Sequence, residues 1–123
     1  MTTTIIPSLT DIADALEQMA DHIARVGLHK GALYDEDAAD GGTPLGDCPT
    51  CTVGAACHVI YGQPRYTVDQ PTAEQTTLLY AVVDLLQDRL GEDAISWSDG
   101  HDQEHVVDYL RATVVELRAG VAS

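Results

Sequence analysis

The sequence predicts an all-α fold, a compact bundle of three long helices and one short helix with a long acidic loop. The first observation behind this prediction is that apolar residues recur every three or four positions in three separate stretches, which is the period of a helix face. The second is that residues typical of helix starts and stops flank these stretches. With 123 residues, we expect a single domain over 1–123 with a flexible N-terminus at 1–8.

The first long helix is predicted from Leu9 to Val26. Ser8, followed three residues later by Asp11, is a suitable start, and Gly27 is a suitable stop. Its apolar positions form one stripe: Leu9, Ile12, Leu16, Met19, Ile23 and Val26.

The segment 28–50 is rich in Asp, Gly and Pro, which predicts a long irregular loop. The run Ala32–Tyr34 allows a small strand stub within it. Loops of this length in compact domains are frequently functional, so this loop and its flanks are the first place where we expect a site.

A short helix is predicted from Thr52 to Ile60. Its small residues, Gly54, Ala55 and Ala56, suggest the close approach of a neighbouring helix. A second loop, from Gly62 to Pro71, follows it.

The third helix begins after Thr72, which forms a capping box with Gln75, and ends at Gly91. Its apolar residues cover more than half of its circumference, so we expect it to be the central and most buried helix. The segment that follows is predicted as a turn in which Trp97 fills the core. We expect Asp99 to cap the last helix and Gly120 to end it.

The charge balance is strongly acidic, with six basic and twenty acidic residues and a formal net charge of −14. This argues against direct binding of nucleic acid or of an anionic membrane surface, because both carry dense negative charge. Solubility, or adaptation to high salt, is the favoured explanation of this charge, and a protein partner with a basic surface is the alternative. The first residues do not resemble a signal peptide and no apolar run could span a bilayer, so we expect a cytoplasmic protein.

Three cysteines and a histidine form the first candidate site: Cys48, Cys51, Cys57 and His58. The Cys48-Pro49-Thr50-Cys51 spacing is typical of zinc sites and also of redox pairs at helix starts. On a helix from Thr52, however, Cys57 and His58 would lie one to two turns beyond Cys51, which is too far for one tetrahedral zinc ion. We therefore favour buried structural thiols and keep a zinc site, completed by Cys57, His58 or a distant histidine, as the alternative.

The second candidate is the run from His101 to His105, which matches the H-x-x-E-H pattern of inverted zinc proteases. Two histidines four residues apart on a helix can share a metal ion. The expected third ligand lies well downstream in such enzymes, and here Asp108 and Glu116 are the acidic residues that remain after His105. A polar first turn of the last helix is therefore the favoured interpretation.

Two further segments carry a family resemblance: Cys51-Thr52-Val53-Gly54-Ala55 after the first loop, and Trp97-Ser98-Asp99 before the last helix. Together with the order of the helices, they resemble an uncharacterised family from actinobacteria and their phages, domain of unknown function 6197, over about Leu9–Ala119. The resemblance implies a bacterial or bacteriophage cytoplasmic protein and implies no activity. The family pattern has Asn at the position of Ser98, and it includes neither Cys48, Cys57 nor the pair His101 and His105.

These observations support three hypotheses about function. The leading one is a non-enzymatic accessory protein that binds another protein through its acidic surface or its long loop, without a catalytic residue or cofactor. The second is a small zinc-binding domain. The third is a small enzyme of unknown class with a pocket between the long loop and Trp97.

Overall fold

A computed structural model describes residues 7–66 and 68–122. No strand forms among these residues, which confirms the all-α prediction, and none of their helices is long and apolar enough to cross a bilayer. The predicted flexible N-terminus falls mostly on residues outside the described ranges, while Ser8 caps the first helix. The helices are α1 (Leu9–Val26), α2 (Glu36–Asp40), α3 (Thr52–Tyr61), α4 (Ala73–Leu90), α5 (Ala94–Asp99) and α6 (Gln103–Ala122).

The most buried long helix is α1, and the prediction that α4 holds this place is wrong. α1 packs along α6 and also contacts α3 and α4, so three helices cover it. On α4, by contrast, Leu79, Val82 and Leu86 are buried, while the Tyr80 side chain is 61% exposed. The buried residues of α1 are Ile12, Ala13, Ala15, Leu16, Met19, Ala20, His22 and Ile23.

Both helix starts that were predicted from capping boxes are confirmed. At α1 the Ser8 hydroxyl accepts from the Asp11 N–H at 3.1 Å, and at α4 the Thr72 hydroxyl accepts from the Gln75 N–H at 3.0 Å. Each hydroxyl satisfies one of the backbone donors that a helix start leaves unpaired. α1 then ends at Gly27, whose φ of +102° is unfavourable for other residues.

The loop between α1 and α3 is held against the start of α3 by backbone hydrogen bonds. The His29 N–H donates to the Thr50 carbonyl at 2.9 Å, and the Asp35 N–H donates to the Pro49 carbonyl at 2.9 Å. The strand stub predicted at Ala32–Tyr34 is reduced to isolated bridges between Thr50 and residues 28 and 34. The loop also contains α2 and a 3-10 turn at Leu45–Asp47, neither of which was predicted, because a single turn has no apolar stripe.

Gly54 explains how closely this loop approaches α3. A Cβ atom at Gly54 would lie 1.8 Å from the Leu33 carbonyl oxygen, so any side chain there would collide with backbone. The same carbonyl accepts from the Cys51 N–H at 3.1 Å. The small residues of α3 were predicted to admit a neighbouring helix, but at Gly54 the neighbour is this loop.

The C-terminal helices differ from the prediction in their boundaries. The segment around Trp97 is the short helix α5 rather than a turn, and Trp97 fills the core there with 5% of its surface exposed. Asp102, not Asp99, caps α6, and it accepts from the His105 N–H at 2.8 Å. Asp99 instead accepts from the Gly31 N–H, which ties the long loop to α5. α6 continues past Gly120 to Ala122.

Candidate functional site

A groove runs along the surface between α1 and α3 and reaches the start of α4. It consists of two hollows of about 360 Å³ each. Gln18 and Val59 line both hollows, so the two are continuous. We call them the acidic half and the histidine half of the α1–α3 groove.

The acidic half combines carboxylates with an apolar floor. Asp11, Asp14 and Glu74 line it. Asp14 forms an ion pair of 3.0 Å with Arg118, whereas Glu74 has no ion-pair partner among the described residues. The floor is formed by Ala15, Val59, Ile60 and Leu78, with Gln18, Thr72 and Gln75 completing the lining.

The histidine half is built around two stacked imidazole rings. His22 on α1 and His58 on α3 lie with their ring centroids 4.1 Å apart and their planes 14° from parallel. His22 is 6% exposed, and His58 is half-buried. Asp21 and Arg25 also line this half of the groove.

Arg25 connects the two histidines to the 3-10 turn of the long loop. Its guanidinium donates to the Gly46 carbonyl at 2.8 Å and to the Asp47 carboxylate at 2.9 Å. It also lies 3.3 Å from Nδ1 of His22. Because a guanidinium can only donate, His22 Nδ1 must be the acceptor, and the neutral ring carries its proton on Nε2.

Within residues 7–66 and 68–122, two ring nitrogens of this pair have no hydrogen-bond partner. His22 Nε2 and His58 Nδ1 are buried atoms without a hydrogen bond among the described residues. Burial lowers the pKa of His22 to about 4, with further contributions from His58 and Arg25. Burial also lowers the pKa of His58, again with a contribution from Arg25. Both rings are therefore neutral near pH 7.

The four predicted metal-ligating residues lie in different surroundings. The Cys48 thiol donates to the Pro44 carbonyl at 3.4 Å, within the loop. The Cys51 sulfur caps α3 by accepting from the Gly54 N–H at 3.3 Å. Cys57 is buried in the core, while His58 stacks on His22. Among the described residues, no group of three or more His, Cys, Asp or Glu is arranged to hold a metal ion.

All three thiols have a raised pKa. Burial is the main cause at Cys48 and Cys51, and at Cys57 it raises the pKa to about 12. Metal binding and thiol exchange both need the thiolate, which these surroundings disfavour. The structure shows a packing or capping role for each cysteine. The zinc hypothesis has to be tested by metal analysis.

The second predicted pair, His101 and His105, is also stacked, with centroids 4.4 Å apart and planes at 15°. Nδ1 of His101 lies 2.7 Å from the Trp97 carbonyl oxygen, and His105 is exposed. Trp97 and Tyr109 complete an aromatic cluster around them. The two histidine rings thus extend the aromatic cluster around Trp97 to the surface of α6.

The long loop holds a smaller hollow of about 160 Å³. It is lined by His29, Ala32, Tyr34, Asp35, Glu36 and Asp37. Trp97 is not part of its lining, so this hollow is not the pocket that the enzyme hypothesis places between the loop and Trp97. The two larger hollows of the α1–α3 groove lie elsewhere, although turn Leu45–Asp47 contacts the histidine half through Arg25.

Sequence reasoning missed His22, yet the sequence contains a signal for it. His22 stands three residues after Met19 and next to Ile23, within the apolar stripe of α1. A histidine in such a stripe is expected to be buried, and buried polar groups normally have hydrogen-bond partners. Its neighbour His58 is 36 positions away in the chain, so the sequence could not show that the two rings meet.

A family model matches residues 7–116, which is most of the chain and includes both halves of the groove. No curated protein and no solved structure matches the chain. The matched model is described as a family of unknown function, DUF6197. The chain therefore belongs to this family, as the segments around Cys51 and Trp97 predicted.

Proposed function

We propose that this protein is a protein-interaction module that binds a basic, amphipathic segment of a partner in the acidic half of the α1–α3 groove. The observation that carries the proposal is the pairing of three carboxylates with an apolar floor in one groove of about 360 Å³. Lys or Arg side chains would face Asp11 and Glu74 and would compete with Arg118 for Asp14, while aliphatic side chains would cover Val59 and Leu78.

The charge distribution of the chain supports a basic partner. Five of the twenty carboxylates form ion pairs with arginines in the described residues. The other fifteen form no ion pair among the described residues, and their net negative field accelerates encounters with a basic surface. An apolar floor adds area that is removed from water on binding, which supplies affinity that charge alone does not.

We also place the protein in the cytoplasm of a bacterium or of a phage-infected host. The three cysteines are free thiols, which persist in a reducing compartment. A cytoplasmic location would give the acidic groove access to the many basic proteins of that compartment.

The test compares two triple variants with the same change in charge. Asp11→Asn/Asp14→Asn/Glu74→Gln neutralises the groove, and Glu36→Gln/Asp37→Asn/Asp40→Asn neutralises exposed carboxylates of α2. Each protein, and the wild type, is crosslinked in host lysate, and the crosslinked peptides are identified by mass spectrometry. Binding of the identified peptide is then measured by calorimetry.

We expect a basic peptide to be crosslinked near the groove. The groove variant should bind this peptide about tenfold more weakly than the wild type, and the affinity of the α2 variant should lie within about twofold of the wild-type value. Equal weakening of binding in both variants would show that the interaction is a non-specific attraction by net charge. Crosslinks confined to the long loop would place the binding surface there and contradict the proposal.

A further inference from the structure

We propose that the histidine half of the α1–α3 groove is a binding site for one small oxyanion, a carboxylate or a phosphate group, held by His22, His58 and Arg25. This site lies beyond the acidic half and does not depend on the basic partner. The inference starts from an unpartnered donor in a buried position.

The donor is the Nε2–H group of His22. Arg25 occupies Nδ1 of the same ring at 3.3 Å, which places the proton of the neutral ring on Nε2. Nε2 is buried and has no acceptor among the described residues, and the whole residue is 6% exposed. An unsatisfied buried donor is unfavourable, and an acceptor oxygen that reaches it removes this cost.

His58 and Arg25 give the ligand its chemistry. Nδ1 of His58 is a second buried nitrogen without a partner in the described part of the chain, on a ring stacked 4.1 Å from His22. Arg25 contributes a positive charge at the same place, which it shares with its ion-pair partner Asp47. An imidazole N–H together with a guanidinium favours an anionic oxygen, since charge-assisted hydrogen bonds are the strongest of this kind.

The acidic side chains beside this half of the groove both form ion pairs. Asp47 forms an ion pair of 2.9 Å with Arg25, and Asp21 forms one of 3.4 Å with Arg111 on α6. The Asp47 carboxylate holds the Arg25 guanidinium in place and does not pair with the ring of His22. It thus supports the side chain that would bind the anion. The charged and titratable groups here are thus Asp21, His22, Arg25, Asp47 and His58, together with Arg111 behind Asp21.

Access to the donor requires a side-chain movement. His22 lines a hollow of about 360 Å³, but Nε2 itself is covered. His58 is half-buried at the same hollow and is held by stacking rather than by a hydrogen bond at Nδ1. A shift of this ring opens the path for an oxyanion, which then contacts both imidazoles.

A divalent cation fits this half of the groove poorly. Nδ1 of His22 already accepts from Arg25, and the guanidinium repels a cation at this distance. The two rings are nearly parallel, whereas a metal ion lies in the plane of each imidazole that binds it. The available chemistry is that of the His22 N–H donor and the positive charge of Arg25.

The experiment uses the whole chain with isotope-labelled histidine and follows the five imidazoles by NMR at pH 7. Sodium phosphate and sodium acetate are titrated separately against sodium chloride of equal ionic strength. We expect saturable shifts at His22 and His58, with His29, His101 and His105 as internal controls that remain unchanged. A response to phosphate alone identifies a phosphate group, and a response to acetate identifies a carboxylate.

Two variants separate the site from a general effect of charge. Arg25→Gln should weaken binding about tenfold, since it removes the permanent charge from a largely exposed position, 55% of the side chain being accessible. Arg89→Gln removes the same charge from the ion pair with Glu116, outside the groove, and should leave binding unchanged. Absence of saturation with both anions, equal shifts of all five histidines, or unchanged binding by Arg25→Gln would overturn the proposal.

Discussion

Two pairs of stacked histidines lie in different parts of the molecule. His22 and His58 have centroids 4.1 Å apart at 14°, and His101 and His105 have centroids 4.4 Å apart at 15°. The first pair joins α1 to α3 in a largely buried position, while the second lies at the start of α6 beside Trp97. Almost the same ring geometry thus occurs in two surroundings.

The difference shows why spacing in a sequence is a weak guide to chemistry. His101 and His105 are four residues apart, so their proximity is a property of one short segment. His22 and His58 meet because α3 docks on α1, and this docking places two nitrogens where no described residue pairs with them. The buried pair has perturbed pKa values and lines a groove, which are features of functional sites.

The largest effect should come from Gly54→Ala, which disrupts the packing of the long loop against α3, the helix that carries His58. The new Cβ would lie 1.8 Å from the Leu33 carbonyl oxygen, and backbone on both sides cannot easily yield. We expect a loss of about 3 kcal/mol or more in the free energy of unfolding, measured by urea denaturation.

Gly100→Ala is the matched control for this change. Gly100 has a φ of −88°, and its added Cβ would meet its nearest atom at 3.5 Å, which is ordinary contact. It should change stability by less than about 1 kcal/mol. Equal losses in both variants would show that Gly54 is not a point of close approach.

The next effect is expected from Ser98→Ala, which removes the link between α3 and the helix that precedes His101. The Ser98 hydroxyl accepts from the Thr52 N–H at 3.1 Å and from the Thr52 hydroxyl at 2.9 Å, and both residues are fully buried. Leaving these donors unpaired should cost about 2–3 kcal/mol in urea denaturation. Ser96→Ala, at an exposed position of α5, should cost less than about 0.5 kcal/mol, and a similar loss there would refute the assignment.

The buried pair also predicts a pH dependence of stability. The pKa of His22 is lowered from 6.5 to about 4 by folding. As the pH falls, this histidine is therefore protonated in the unfolded chain before it is protonated in the folded one. Stability due to neutral His22 is complete above pH 6.5 and is lost between 6.5 and about 4, by on the order of 2–3 kcal/mol. His58, whose pKa is also lowered, adds to the same loss.

This dependence is measured by thermal or urea denaturation across that pH range. His22→Gln should flatten the slope between pH 6.5 and 4, even if the variant is less stable at every pH. His105→Gln, on the exposed pair, should retain the full slope. The same slope in wild type and His22→Gln would contradict the burial of a neutral ring at this position.

The smallest effect is expected from removing metal. This experiment tests whether His58 ligates zinc together with the cysteines or stacks on His22 without a metal ion. We expect less than about 0.1 equivalent of zinc in protein purified without a histidine tag, and no change in melting temperature with chelator. Stoichiometric zinc that is lost on chelation, with a loss of stability, would instead support the hypothesis of a zinc site at Cys48, Cys51, Cys57 and His58. His58→Gln distinguishes the two results, since it would lower zinc content only in the second case.

Much of the fold could be predicted because it depends on local chemistry. The stripe of α1 and the capping boxes at Ser8 and Thr72 are properties of short segments, and their helices form where expected. The burial of Trp97 also follows from its size and apolar surroundings. The boundary of α6 was missed because Asp99 and Asp102 are equally suitable caps by sequence, and the loop contact of Asp99 decides between them.

The sequence by itself determined the helical class, the acidic charge and the family, because periodicity, composition and short motifs are all present in the linear chain. Tertiary structure decided which helix is central, what Gly54 contacts and which histidines meet. These depend on contacts between residues far apart in the chain, such as Leu33 with Gly54 and His22 with His58. Burial then sets the pKa of each ring, since desolvation acts through the packed neighbours and not through the sequence.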